Sequence, residues 1–159
     1  SDPTVTLAGS LWVMGDMTIK NSAIVRVLDA VGDRSIPVIV DNPANQNNSG
    51  IITLENNTQF LGATNQPDSY VFLVSMNRSI ESGGNNVAID VKNGASGNLL
   101  LYAPHGELLV QNNVTLREAT AYKITLKNNS IISYTLGLAQ ALFTSGPGGA
   151  WKIKDWREI

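Results

Sequence analysis

The chain contains no cysteine, and this absence removes several kinds of chemistry at once. Disulfide bonds, thiolate metal ligands and cysteine nucleophiles are all excluded. Charged residues make up only 15% of the sequence, below the roughly 25% of average globular domains. Polarity comes instead from Gly, Ser, Thr and 17 Asn. This composition is more typical of an extracellular β-rich surface than of a cytosolic enzyme.

Three further features are scarce. The 11 Lys and Arg residues are scattered and the net charge is −2, so no basic stripe could displace counterions from a phosphate backbone, and nucleic acid is not an expected partner. No stretch approaches 18 consecutive apolar residues, so no membrane-spanning helix is expected within the chain. The chain begins Ser-Asp-Pro, which we interpret as a mature or excised form whose targeting information lay upstream.

The sequence does contain a repeated six-residue motif, called here the first phrase. Met-Thr-Ile-Lys-Asn-Ser recurs as Ile-Thr-Leu-Glu-Asn-Asn, as Ile-Asp-Val-Lys-Asn-Gly and as Ile-Thr-Leu-Lys-Asn-Asn. The anchoring asparagines are 35, 37 and 35 residues apart: Asn21, Asn56, Asn93 and Asn128. Each phrase alternates apolar and polar residues and ends in a pair that favours turns, which is typical of a half-buried strand followed by a turn.

A second phrase runs out of phase with the first. In this phrase an apolar run ends in Asn. The three asparagines are Asn42, Asn77 and Asn112, and each is 35 residues after the one before. A fixed period in this range predicts a stacked repeat architecture. Stacking both phrases in one column with a period of about 17 residues is disfavoured, because the spacings between consecutive asparagines alternate and indicate two distinct faces.

These patterns predict an all-β single domain over 1–159, folded as a right-handed parallel β-helix with three strands per coil of about 35 residues. The two asparagine series would form two ladders, one on each face, whose amides satisfy the backbone groups of the turns. Apolar residues at helical spacing in 136–143 predict a short capping helix. The alternating segment 151–156 would fold back along the body, so that 136–159 forms a C-terminal cap.

The second phrase also predicts an apolar stripe on the outside of the solenoid. If Val38, Leu73 and Leu108 face the core, the intervening residues of each strand face outward. These are Ile39, Val74 and Leu109, with Phe72 and Met76 beside them. A regular apolar stripe is expected either to be covered by the C-terminal segment or to bind a protein partner or a second copy.

Candidates for chemistry are few. The one histidine, His105, lies in a loop and has no second metal ligand close in sequence. Asp90 with Glu55 or Glu107 could provide the carboxylate pair of a glycosidase, but outward charges are common on solenoids. We therefore predict no enzymatic activity and no cofactor.

A calcium site formed by Asp29, Asp33 and Asp41 is the remaining ligand-binding alternative. Their loop lacks the repeated Gly-Asp nonapeptide of calcium-binding solenoids. No metal site is therefore predicted.

The strand phrases, the Asn-rich turns and the ending Gly-Pro-Gly-Gly-Ala-Trp…Trp-Arg-Glu-Ile resemble β-helical extracellular domains of bacterial surface proteins, including pilus-associated proteins of the PilX-like kind. The run over 11–19 is also similar to strands of bactofilins, polymer-forming β-helices of the bacterial cytoskeleton. The first resemblance implies a non-enzymatic structural or adhesive module at the cell surface. The alternatives are a β-helix that binds or cleaves polysaccharide and a self-assembling filament subunit.

Overall fold

A computed structural model describes residues 2–133 and 142–143. Within these residues the regular secondary structure is almost entirely β-strand, and the helical segment is a single 3-10 turn, Asp29–Val31. The strands are β1 (Thr4–Leu7), β2 (Leu11–Met14), β3 (Met17–Ile19), β4 (Ile24–Val27), β5 (Arg34–Asp41), β6 (Ile52–Leu54), β7 (Gln59–Leu61), β8 (Val71–Ser75), β9 (Val87–Val91), β10 (Ser96–Gly97), β11 (Leu99–Val110), β12 (Thr115–Leu116), β13 (Glu118–Leu126), β14 (Ile131–Ile132) and β15 (Leu142–Phe143).

Every strand pairing in the described part of the chain is parallel, and the pairings form three columns. Column one has the order β1-β4-β7-β10, and column two the order β2-β5-β8-β11. Column three has the order β3-β6-β9-β11-β13. The long strand β11 belongs to columns two and three and pairs along most of its length with β13, so the sheet is nearly closed. The fold is therefore all-β and parallel, as the sequence predicts.

The turn that follows each column-three strand has constant length. In all five cases the first residue of the next segment comes five positions after the last residue of the column-three strand, as from Ile19 to Ile24 and from Leu126 to Ile131. Two successive residues with positive φ make each turn, for example Asn56 at 58° and Asn57 at 59°. Asn adopts this left-handed conformation more readily than other side chains, which explains the asparagine period.

The other two connections vary in length, and they correct the predicted period. Along column three the partners are 35, 37, 19 and 16 residues apart: Met17 with Ile52, Ile52 with Ile89, Ile89 with Leu108, and Leu108 with Ile124. The period of about 35 residues is therefore wrong for the C-terminal part. In that part, a strand of the second phrase lies in column three between two strands of the first phrase. The sequence pattern disfavours this single-column arrangement because the distances between consecutive asparagines alternate.

The shortening has a physical cause in β11. Loops 42–51 and 76–86 connect columns two and three in the long repeats, whereas β11 passes from one column to the other without a loop. It changes register between Ala103 and Glu107. Gly106 lies at this bend, where a Cβ atom would collide with the Cβ of Ala88 and come within 2.8 Å of the carbonyl oxygen of Asn77. Only glycine fits there without movement of the neighbouring chain.

Inward-facing residues of the columns form one apolar core. Ile52, Ile89 and Leu108 follow one another in column three and are fully buried, as are Leu54, Val91 and Val110. The residues of the second phrase that were predicted to face the core are also buried, including Val38, Leu73 and Leu108. Removing such a run of apolar side chains from water is the main stabilising contribution to this fold.

The predicted capping helix over 136–143 lies mostly outside the described residues. Its last two residues form strand β15, which pairs in parallel with Arg34 and Ser35 of β5. These two residues are therefore extended and not helical. The predicted fold-back segment over 151–156 lies outside the described residues.

Candidate functional site

The outer face of column three carries a network of charged and amide side chains. The Nζ atom of Lys92 lies 3.3 Å from Oδ2 of Asp90 and 3.5 Å from Oε2 of Glu55. Gln111 donates a 2.8 Å hydrogen bond from Nε2 to Oδ1 of Asp90. The Asp90 carboxylate, with a smaller contribution from Glu55, raises the pKa of Lys92 above its ordinary value. The network therefore joins three successive repeats through side chains.

Glu107 is the second carboxylate considered for catalysis. Burial opposes its charged form, but Thr125 Oγ1 donates a 2.6 Å hydrogen bond to Oε1 and Lys123 Nζ lies 3.2 Å from the same oxygen. These contacts outweigh burial and lower the pKa of Glu107. A glycosidase acid needs a raised pKa to remain protonated near neutrality. The geometry around Glu107 therefore favours a structural anion and not a proton donor.

The asparagines of the turns form hydrogen bonds between repeats. The Nδ2 atom of Asn93 donates to Oδ1 of Asn56 at 3.4 Å, Asn112 donates to Asn93 at 2.8 Å, and Asn128 donates to Asn112 at 2.8 Å. Asn112 therefore belongs to the same column as Asn93 and Asn128, and its assignment to a second series with Asn42 and Asn77 is wrong. The cause is the shortened connection in β11.

The other predicted ladder residues use their polar groups differently. At the first turn, the backbone N–H of Ser22, next to Asn21, donates to the carbonyl oxygen of Asn56 at 2.8 Å. Asn77 is fully buried; its Nδ2 donates to the carbonyl oxygen of Ser49 at 2.8 Å and its Oδ1 accepts from the N–H of Ser79 at 3.1 Å. Asn77 therefore fastens the loops 42–51 and 76–86 together, and its amide is engaged there and not with Asn42.

The outward apolar stripe exists in column two, but with a different third member. Ile39 pairs with Val74, and Val74 pairs with Tyr102. Leu109 pairs with Asp90 and Thr125 in column three, so its place in the stripe is wrong. Trp12 pairs with Ile39 and extends the stripe at the other end.

The stripe combines buried and exposed members. Val74 is only 8% exposed, whereas Tyr102 is 37% and Trp12 is 50% exposed. The rings of Phe72 and Tyr102 are 6.1 Å apart at a 39° angle, and Phe72 and Met76 are both half-buried. The sequence pattern did not predict Trp12 and Tyr102 as members of the stripe. The alternation of inward and outward residues along β2 and β11 was the signal that could have identified them.

His105 lies close to a carboxylate and a guanidinium group. Its Nδ1 atom is 2.9 Å from Oε2 of Glu81, and Arg78 Nη2 donates to the same oxygen at 3.0 Å. Arg78 and then His105 lower the pKa of Glu81 through these contacts. This small cluster connects loop 76–86 to β11.

The three aspartates considered for calcium are not gathered into one site. Asp29 accepts 2.7 Å and 2.8 Å hydrogen bonds from Arg26 Nη2 and the N–H of Thr64, and these contacts, led by the Thr64 N–H, lower the pKa of Asp29. Asp41 accepts from Gln46 Nε2 at 3.0 Å. Within residues 2–133 and 142–143, no group of three or more His, Cys, Asp or Glu residues is arranged to hold a metal ion.

An open cavity of about 610 Å³ lies beside the loop 62–67, with Arg26 and Asn98 among its lining residues. Arg26 is already engaged by Asp29 and by the hydroxyl oxygen of Thr64 at 3.2 Å. The guanidinium group at this cavity is therefore committed to contacts within the protein.

Comparisons with known proteins find no matching family model, no similar curated protein and no similar solved structure. In the part of the chain that the structure describes, no helix is long and apolar enough to cross a membrane. The sites described above consequently depend on geometry alone for their interpretation.

Proposed function

We propose that this chain is a right-handed parallel β-helix with three strands per coil. We propose further that it acts as a non-enzymatic structural or adhesive module of a bacterial surface protein or pilus-like appendage. Three parallel columns and a turn of constant length support the solenoid. Parallel strand crossovers are right-handed in nearly all proteins, which supports the handedness.

The observation that carries the structural role is the use of outward polar groups between repeats. Lys92 contacts Glu55 of the preceding repeat, and Glu107 accepts from Thr125 of the following one. The long loops are joined in the same way, since Ser82 Oγ donates to Oδ1 of Asn47, 35 residues earlier, at 3.2 Å. Side chains committed to such contacts stiffen a solenoid and are not free for catalysis.

The proposed location at the cell surface is supported by composition. The chain combines absence of cysteine and few charges with abundant Asn, Ser, Thr and Gly. The resemblance to β-helical domains of PilX-like pilus-associated proteins points in the same direction. Protease treatment of intact cells tests this part, and protection until the cells are lysed would contradict it.

The non-enzymatic part is tested by combining stability with activity. Asp90→Asn removes the charge facing Lys92 and should lower the Tm by about 2–4 °C, since a partly exposed pair contributes at most about 1 kcal/mol. The wild type should release no reducing ends from a panel of bacterial polysaccharides. Hydrolysis that is lost in Asp90→Asn or Glu107→Gln, while the variants stay folded, would overturn the proposal.

Polysaccharide binding is the second candidate, and the aromatic members of the stripe favour it. Tyr102, Phe72 and Trp12 place ring surfaces along one outer face, and aromatic rings provide flat apolar platforms with a polar edge. Glycan-array binding that is lost in Tyr102→Ala and Trp12→Ala, and retained in Tyr122→Ala on β13, would support it. Tyr122 is a suitable control because its side chain is also exposed.

A further inference from the structure

The first and last strands of column three have the same sequence pattern. β3 and its turn read Met-Thr-Ile-Lys-Asn-Ser, and the end of β13 with its turn reads Ile-Thr-Leu-Lys-Asn-Asn. Among the described strands, β3 pairs with β6 and β13 pairs with β11, so each has one edge without a strand partner. The two free edges lie at opposite ends of the column.

Both ends also expose residues that occupy core positions. Ile124 follows the fully buried Leu108 in register but is 43% exposed, and Leu126 is similarly exposed beyond Val110. At the opposite end Leu11 is 43% exposed although its partner Val38 is buried. An apolar cavity of about 440 Å³ opens there, lined by Leu11, Met17 and Ile19 among others. Exposed apolar patches of this kind mark association surfaces.

We propose that these two end faces bind each other in successive copies of the chain, so that the protein assembles head to tail. The inference rests on the proposed structural role and names its partner as a second copy. In such a contact β13 of one copy lies parallel to β3 of the following copy. Met17 then faces Ile124, and Ile19 faces Leu126.

The register of this contact is the register already present inside the molecule. Met17, Ile52, Ile89, Leu108 and Ile124 occupy the same position of five successive strands. In the turns at Asn93, Asn112 and Asn128, the Nδ2 atom donates to the Oδ1 of the preceding asparagine. Asn21 of the following copy would donate to Asn128 in the same direction, so the series of amides continues across the junction.

The end repeats are also matched in size and partly in charge. Paired residues are 20 positions apart between β1 and β4 at the start, Thr4 with Ile24, and 16 apart between β12 and β14 at the end, Thr115 with Ile131. The long loops belong to the middle repeats and do not project between the end faces. The register places Asp16, which precedes β3, beside Lys123, an opposite charge. Lys20 and Lys127 face each other, so added salt should strengthen that part of the contact.

The first experiment uses sedimentation velocity on the full chain and matched variants. The wild type should form concentration-dependent oligomers. Leu11→Lys and Ile124→Lys, each altering one end, should be monomeric alone and form only a 1:1 dimer when mixed. Leu61→Lys is the control, because Leu61 is 42% exposed but lies on the side of column one. A monomeric wild type, oligomers unchanged in both end variants, or equal loss in the control would overturn the proposal.

The second experiment uses the absence of cysteine and does not depend on the end variants folding well. In the double variant Thr18→Cys/Thr125→Cys, oxidation should give a ladder of disulfide-linked oligomers on a denaturing gel, whereas neither single variant should give a disulfide-linked species. The two positions are four strand spacings apart within one chain, about 19 Å, which is too far for an internal disulfide. A disulfide-linked dimer of either single variant would indicate like ends in contact and contradict the proposal. Failure of both experiments would leave the structural role intact, whereas polysaccharide hydrolysis would remove that role.

Discussion

Asn112 donates a 2.8 Å hydrogen bond from its side-chain amide to Oδ1 of Asn93, although the two residues end different sequence phrases. They meet because β11 passes between two columns without a loop. Asn112 has φ of 61° and the following Asn113 has φ of 60°. One residue thus combines a left-handed turn with a contact to both neighbouring repeats.

Asn112→Ala should therefore lower the free energy of unfolding by about 2 kcal/mol, from the left-handed backbone and the lost hydrogen bonds together. Asn112→Gly should recover the backbone part only, since glycine adopts positive φ freely. Urea denaturation measures both. The control is Asn85→Ala, an exposed asparagine without positive φ. Equal stability of the Ala and Gly variants would show that the backbone contribution is absent.

Gly106→Ala should destabilise the bend of β11 by about 1–3 kcal/mol, because a side chain cannot be accommodated against Ala88 and Asn77 without movement of the chain. Gly9→Ala is the control, since nothing lies within 4 Å of a Cβ atom at Gly9. The double variant Gly106→Ala/Ala88→Gly should recover part of the loss. Thermal unfolding of the four proteins checks this, and equal Tm values for Gly106→Ala and Gly9→Ala would contradict it.

Glu107 should make stability fall in acid. Its pKa is lowered in the folded protein, so the unfolded chain takes up the proton first. The stabilisation is therefore present above the ordinary value of 4.5 and is lost as the pH falls through the lower folded value. The Tm difference between wild type and Glu107→Gln should shrink as the pH is lowered from about 6 to about 3.

The control for this titration is Glu118→Gln on β13, the strand that pairs with β11. Glu118 forms no ion pair among the described residues. A Tm difference for Glu107→Gln that stays constant over this range would exclude the proposed role of the Lys123 and Thr125 contacts.

Val74→Asp should lower the free energy of unfolding by about 3 kcal/mol, because the carboxylate would replace a nearly buried side chain without a partner. Val74→Thr is the milder companion and should cost less. Equilibrium unfolding over a range of protein concentrations checks this. If Val74→Asp leaves stability unchanged but dissolves an oligomer or a partner complex, the stripe is a docking face and not internal packing.

The sequence was sufficient for β3, β6, β9 and the end of β13, and for the turns that follow these strands. Alternation in phrases such as Ile-Thr-Leu fixes which side chains are inward, and the Asn pairs fix the left-handed turns. Both are local properties, because they depend on residues within one strand and its turn. This is why the pattern found Asn56, Asn93 and Asn128 in their correct column.

The course of β11 could not be derived from the same local pattern. Register there depends on whether a loop intervenes between columns two and three, and on close packing of Gly106 against Ala88. One signal was present: no Asn pair occurs between Leu99 and Val110, and the asparagine spacing falls to 19 and 16 after Asn93. The misplacement of Leu109 and Asn112 follows from missing that signal.

The turn that follows each column-three strand has a fixed length, whereas the other two connections of each repeat vary in length. The two kinds of connection therefore differ in the insertions that they can tolerate. An extra residue between Asn93 and Gly94 would reverse every inward and outward side chain that follows in column one. Additional residues at the other two connections are already present in the middle repeats and leave the register intact. The exposed segment 81–85 of the loop 76–86, away from the buried Asn77, is therefore a position at which a foreign peptide can be grafted for display without rebuilding the core.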